Sequence, residues 1–203
     1  MNIANKLTIS RMLMIPFIIL FILPIPVEGA AGWNNFVTGI GGHIIALVIF
    51  SLASFTDFLD GHFARKNDMV SNFGKFLDPI ADKLLVISTL ACLVAMDRAS
   101  VVVLIIIIAR EFLVTGLRLM AAEKGVVIAA SMFGKAKMVA QLIFIIFLLA
   151  EPIFYQLTGA AYPSQPLEII KTVLVWITVI MTLLSGADYL WKNRRFFLDE
   201  KIQ

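Results

Sequence analysis

Cysteine is almost missing from this chain. The single Cys92 lies inside an apolar run, so no disulfide framework exists, and the thiol reads as a small packing residue that says little about compartment. Histidine is scarce too. His43 and His62 have no Cys or His partner at ligand spacing, which leaves no His/Cys zinc signature. Charge is sparse: 15% of residues are Asp, Glu, Lys or Arg, where a soluble domain carries about 25%. There is no internal repeat and no low-complexity tract. No small-residue cleavage site follows the first apolar run, MNIANKLTISRMLMIPFIILFILPIP, so that run is expected to be a retained first span.

What the chain does have is oil. Of its 203 residues 60% are hydrophobic, and they come in long blocks. A transmembrane helix needs about 20 mostly apolar residues. Six spans are expected, near 8–26, 42–64, 76–96, 100–122, 134–157 and 167–190, making an all-α integral membrane bundle read as one catalytic domain over 1–203. The Gly-rich segment 27–41 reads as a loop with Trp33 at an interface, 66–74 as a polar connection, 97–99 as a short turn, and YPSQP at 162–166 as a break. The net charge of +3 suits anionic lipid or phosphate, and no nucleic-acid partner is expected.

Lys and Arg are distributed unevenly. Lys6, Arg11, Arg65, Lys66, Lys75, Lys124, Lys135, Lys137, Lys192, Arg194, Arg195 and Lys201 fall on one side of the expected bundle; the other holds little beyond Arg98 and Lys171. The rich side, with both termini, is therefore expected to be cytoplasmic. The tail WKNRRFFLDEK mixes basic and aromatic residues and suits either the membrane surface or a stop-transfer flank.

Against this background four aspartates stand out. Asp57 and Asp60 close the second apolar segment, and Asp78 and Asp82 open the third. Spacings of three and four put each pair on one helix face, and a short connection makes the two helices antiparallel neighbours. A charge deep in a membrane helix costs roughly 2.5–3.5 kcal/mol on insertion scales. Shared protons, basic partners or divalent cations could offset it. Two hard divalent ions would balance four carboxylates, and all-oxygen ligation favours magnesium, manganese or calcium over zinc. Gly61, Ala64 and Gly74 keep the adjoining surface small, and Arg65 can reach a phosphate above it. Metal, small-residue groove and cation together suit a nucleotide diphosphate, although small residues also simply pack membrane helices. Pro79 is expected near a helix start, where its missing N–H matters little.

Read together, Asp57 to Asp82 spell D-x2-D-G-x2-A-R-x8-G-x3-D-x3-D. This resembles the signature of the CDP-alcohol phosphotransferase family, and NKLTISR, Asn5 to Arg11, is similar to the family's opening N-x-L-T-x-x-R. The resemblance implies a six-helix membrane bundle, commonly a homodimer, in a bacterial-type inner membrane with a two-metal site facing the cytoplasm. It implies cleavage of a CDP-linked alcohol and transfer of its phosphoryl-alcohol group to a hydroxyl, releasing CMP. Asp57, Asp60, Asp78 and Asp82 then match the ligands of two Mg2+ or Mn2+ ions, and Asp82 also matches the general base. Gly61, Ala64, Arg65 and Gly74 match CDP-binding positions, with Asn5, Thr8 and Arg11 as neighbours of the nucleotide or diphosphate.

Further charges lie in the later segments. Arg110, Glu111 and Arg118 fall in or near the fourth span, and Lys135 and Lys137 where the fifth begins. Glu111 points about 100° away from Arg110 around a helix, which makes it a poor direct partner. Unpaired cations facing a bundle cavity suggest an anionic ligand, and within the family a basic pocket implies a phosphorylated acceptor. The REF and GKAK stretches resemble members that join CDP-diacylglycerol to glycerol 3-phosphate. Inositol phosphate is the runner-up, and serine would need fewer cations. Outside the family, membrane carboxylates also mark ion or proton transporters, but those carry charges near the midplane and in broken helices.

Overall fold

The computed structural model describes residues 3–67, 72–123, 125–126, 128–129, 131–159 and 164–194; the side chains of 3–7, 57–67, 72–79 and 82 lie outside that description. Among the described residues the chain is helical, without strands. Six long helices are α1 (Ile3–Ile22), α3 (Ile40–Asn67), α4 (Asn72–Ala95), α5 (Val101–Glu123), α6 (Met132–Thr158) and α7 (Gln165–Lys192); α2 (Ala31–Thr38) is short. They coincide with the six apolar blocks, with shifted ends. Helix α1 stops at Ile22 because Pro24 and Pro26 follow, and the residue before a proline is pushed out of the helical region.

Two expectations need correction. The Gly-rich 27–41 segment is not a plain loop: it contains α2. The Asn34 side chain accepts from Ile25 N at 2.8 Å and donates to Ile25 O at 2.9 Å, tying α2 to the strap before it. Trp33 packs between Phe21 and Phe36, with ring centroids 5.5 and 5.9 Å away. Secondly, α4 begins at Asn72, so Pro79 sits in the second turn and not at the start. There its ring removes the usual intrahelical donor to the Lys75 carbonyl.

Among the described residues two helices, α6 and α7, are each long and apolar enough to cross a membrane, and α2 with the Ile40–Thr56 part of α3 makes a third if that pair, bent by 63°, is one span. That count covers the described residues and does not by itself establish the six expected spans. In α5 the charges Arg110, Glu111 and Arg118 interrupt the apolar run. Thr8–Ile22 and Lys83–Ala95 remain as shorter apolar stretches.

The α2–α3 bend rests on glycine. A Cβ on Gly42 would fall 2.5 Å from Val37 Cα, and one on Gly41 would fall 2.7 Å from the Phe36 ring. Neither position has room for a side chain, so the two helices fold tightly on each other. At the end of α6, Gly159 adopts φ +63 and its N–H returns to Tyr155 O at 3.0 Å, a left-handed cap that suits glycine.

Helix α1 packs against both α3 and α4, and α6 packs against α3 and α7. Ile18, Phe50, Leu90, Leu93, Ile107 and Leu148, from five helices, form a continuous buried core, which also encloses Cys92. Large apolar side chains such as Leu13, Phe112, Leu119 and Trp176 point outward and are well exposed, as a lipid-facing surface requires.

The bundle has two unlike ends. At the far end, Arg98 in the α4–α5 turn meets Glu151 of α6 at 3.0 Å, and the Glu151 side chain is 0% exposed. At the motif end lie the close of α3, α5 and α7 and the start of α4 and α6.

Gly42→Ala is expected to destabilise the protein by about 1–3 kcal/mol through overpacking, read as a lower Tm in detergent. Gly32→Ala, where nothing lies within 4 Å, is the control and should leave Tm nearly unchanged.

Candidate active site

The site is built from helix ends. Asp57 and Asp60 lie on α3, and Asp78 and Asp82 on α4. Both helices run unbroken through those positions, so the spacings of three and four place each pair on one face. The four carboxylates themselves lie outside the described side chains, as do those of Asn5, Ala64 and Arg65, and glycines 61 and 74 fall in the same stretches. Among the described residues no group of three His, Cys, Asp or Glu side chains gathers. The donor set nonetheless fits a hard divalent ion in kind: four carboxylates with no thiolate or imidazole among them.

Beside these helix ends α1 contributes two polar side chains. Thr8 is 1% and Arg11 2% exposed, both on the helix that packs against α3 and α4. On α4, Ala81, directly before Asp82 in sequence, is fully buried. An arginine enclosed this deeply at the end of a bundle faces protein and not lipid, because its charge has no solvation in hydrocarbon.

The second half of the site lies between α5, α6 and α7. Here the structure overturns the reading of Arg110 as a cation without a direct partner. Its Nη1 donates to Glu111 Oε1 at 3.2 Å, and its Nη2 donates to Ser185 Oγ on α7. The angular argument treats side chains as fixed spokes; the long arginine stem curls across one residue of helix instead. Lys137 of α6 donates to the same Glu111 oxygen. Side-chain exposures of 12%, 12% and 7% for Arg110, Glu111 and Lys137 put all three largely out of water.

Two glycines flank Arg110 at ordinary van der Waals distance. A Cβ on Gly134 would lie 3.5 Å from Arg110 Nη2, and one on Gly186 would lie 3.5 Å from Arg110 Cγ. Ser131 caps the start of helix α6, accepting from Gly134 N at 3.1 Å. Lys83 of α4 reaches Thr115 of α5, and Thr115 Oγ1 donates back to Glu111 O at 2.7 Å. One turn further out, Arg118 Nε donates to Tyr189 Oη at 2.7 Å, and its guanidinium lies 5.4 Å from the centre of the Tyr189 ring.

The four cations expected in the acceptor pocket are thus not one cluster. Arg110 and Lys137 meet at Glu111. Arg118 stands at the rim on Tyr189. Lys135 is exposed on α6. Sequence reasoning missed Glu111 as the shared counter-ion, and it missed Ser185, Tyr189, Thr115 and Lys83 altogether. The available signal was the run SGADY, 185–189, where small and polar residues interrupt the last apolar helix.

Comparison with known proteins agrees in one direction. The family model described as CDP-alcohol phosphatidyltransferase matches residues 1–184. The chain is 41% identical, over 95% of itself and 95% of the relative, to a CDP-diacylglycerol–glycerol-3-phosphate 3-phosphatidyltransferase of Bacillus subtilis. It is 34% identical to the protein of the same description from Rickettsia felis, with 97% of each chain covered. It is also 34% identical to a probable phosphatidylglycerophosphate synthase of Mycobacterium tuberculosis, over 96% of itself and 82% of that relative.

Ser185→Ala should leave buried guanidinium hydrogens without an acceptor. A loss of about 1–2 kcal/mol is expected, measured as a lower Tm of the detergent-solubilised protein. An unchanged Tm would show that the α5–α7 bond adds nothing to stability.

Proposed function

The chain belongs to the CDP-alcohol phosphatidyltransferase family, and from that premise we propose that it transfers the phosphatidyl group of CDP-diacylglycerol to glycerol 3-phosphate. The products are phosphatidylglycerol phosphate and CMP, in phospholipid biosynthesis. The observation that carries this reading is the near-full-length similarity to relatives described by that reaction.

Residue roles follow from position and chemistry. The acceptor hydroxyl attacks the phosphorus that bears diacylglycerol, the bond from that phosphorus to the bridging oxygen breaks, and CMP leaves with the electron pair. Asp82 takes the hydroxyl proton, because a neutral hydroxyl is a weak nucleophile and a carboxylate beside it is the available base. Asp57, Asp60, Asp78 and Asp82 would hold two divalent cations, Mg2+ or Mn2+, whose chemistry is to neutralise charge on the diphosphate and the departing CMP. Asn5, Thr8, Gly61, Ala64, Arg65 and Gly74 bind the CDP group; what supports this is the buried pair Thr8 and Arg11 on the helix shared by α3 and α4.

The acceptor's phosphate is assigned to the basic pocket. Arg110 and Lys137 form its floor, supported by their meeting at one carboxylate. Arg118 stands at the rim, and exposed Lys135 draws the anion in from water. The same reading has all six long helices cross a bacterial-type inner membrane, as a homodimer, with the charged end and both termini cytoplasmic. Acyl chains then stay in lipid while the CDP head and a soluble acceptor meet at the surface. The asymmetric placing of Lys and Arg supports that orientation.

Purified protein supplied with CDP-diacylglycerol should release CMP with glycerol 3-phosphate far faster than with inositol phosphate or serine, and excess chelator should abolish that release until Mg2+ or Mn2+ is restored. A clear preference for inositol phosphate or serine would contradict the acceptor assignment.

Asp82→Asn is expected to reduce turnover at least about a hundredfold, within the range for loss of a general base, while much of the CDP-lipid binding survives. Equal losses of binding and turnover would assign Asp82 a metal-holding role alone.

A further inference from the structure

The basic pocket contains an acid, and the acid holds its two cations together. Glu111 Oε1 accepts from Arg110 on its own helix and from Lys137 on α6. Without it, two positive charges would face each other in a low-dielectric interior, and repulsion would drive the Lys137 ammonium and the Arg110 guanidinium apart. Ser185 holds the other side of the guanidinium, and Gly134 and Gly186 lie alongside Arg110. Among the described residues, Arg110 Nε is buried with no hydrogen-bond partner, so the guanidinium is held on two sides and unsaturated there.

We propose that Glu111 is a positioning residue for the acceptor: it holds Arg110 and Lys137 at the spacing at which they receive a phosphate monoester, and touches neither the diphosphate nor the reacting hydroxyl. The proposal rests on the reading of this pocket as the acceptor-phosphate site. Its electrostatic logic is specific. The carboxylate sets the two cations in place before the ligand arrives, and the trio by itself still sums to one positive charge. Removing the carboxylate raises the formal positive charge, yet it weakens acceptor binding, because the cations lose their geometry. A carboxylate that merely competed with phosphate would give the opposite sign.

The test is steady-state kinetics of the full-length protein in mixed micelles, with glycerol 3-phosphate and CDP-diacylglycerol varied in turn. Glu111→Gln should raise the KM for glycerol 3-phosphate at least about tenfold, with the KM for CDP-diacylglycerol within about twofold of wild type. Glu111→Asp, which keeps the charge on a shorter stem, should recover most of the loss. An acceptor KM that is unchanged or lower in Glu111→Gln overturns the proposal, as does an equal rise in both KM values.

Arg110→Ala separates this idea from the one beneath it. If Arg110→Ala leaves the acceptor KM unchanged, the pocket itself is misassigned. If it raises that KM while Glu111→Gln does not, only the positioning role fails. A substrate-free measurement covers the case of poor folding: Tm values of Glu111→Gln, Lys137→Met and the double variant. The double variant should lose less than the sum of the two single losses, because each single change strands a buried charge. Strict additivity would show the two side chains to be uncoupled and would overturn the proposal.

Discussion

An ionised side chain inside an apolar bundle must find an opposite charge, and the arrangement of this protein follows from that demand. At the far end one carboxylate, Glu151, meets one arginine, Arg98. Between α5 and α6 one carboxylate, Glu111, meets two cations. The two cases differ in stoichiometry. The first ties the α4–α5 turn to α6. The second gathers two cations on one acid beside Gly134 and Gly186, and in the proposed reading an incoming anion completes it. A buried ion pair contributes little net stability, but losing one partner is costly. Both carboxylates therefore constrain which helices can be neighbours more than they deepen the folded state.

The converse problem arises on α3 and α4, where acid is in excess. In the proposed reading, divalent cations and a CDP diphosphate complete that side, and a phosphorylated acceptor completes the other. The two half-sites lie on different helix pairs. Helix α4 belongs to both, through Asp78 and Asp82 near its start and through Lys83, one residue later, which reaches Thr115 beside Glu111. That adjacency suits a reaction in which a hydroxyl must meet a phosphorus, since holding two reactants in register is worth several orders of magnitude in rate.

Much of the helical layout is legible in the sequence because apolar blocks and charged interruptions are coarse signals. All six long helices fall where such blocks lie, and the family motif falls at one α3–α4 junction. What escapes is local or pairwise. Helix α2 hides in a Gly-rich segment because its support is a side chain, Asn34, bonding to Ile25 nine residues away. Pro79 looks like an initiator until α4 is seen to start a full turn earlier. Glu111 looks ill-placed for Arg110 because helical angles describe Cβ directions and not the reach of a flexible stem. Arg98 and Glu151 pair across 53 positions, and no pattern in one sequence joins them. Ser185 and Tyr189 carry no charge and resemble ordinary punctuation in an apolar helix.

In the proposed reading the acidic ends of α3 and α4 converge to hold two metal ions around a diphosphate. Electron paramagnetic resonance of the full-length protein titrated with Mn2+ in the presence of a CDP-lipid tests it most directly. The account predicts two bound Mn2+ per chain whose spectrum shows mutual spin coupling, with that coupling lost in Asp57→Asn and in Asp78→Asn alike. A single isolated ion, or a coupled pair indifferent to both substitutions, would contradict it.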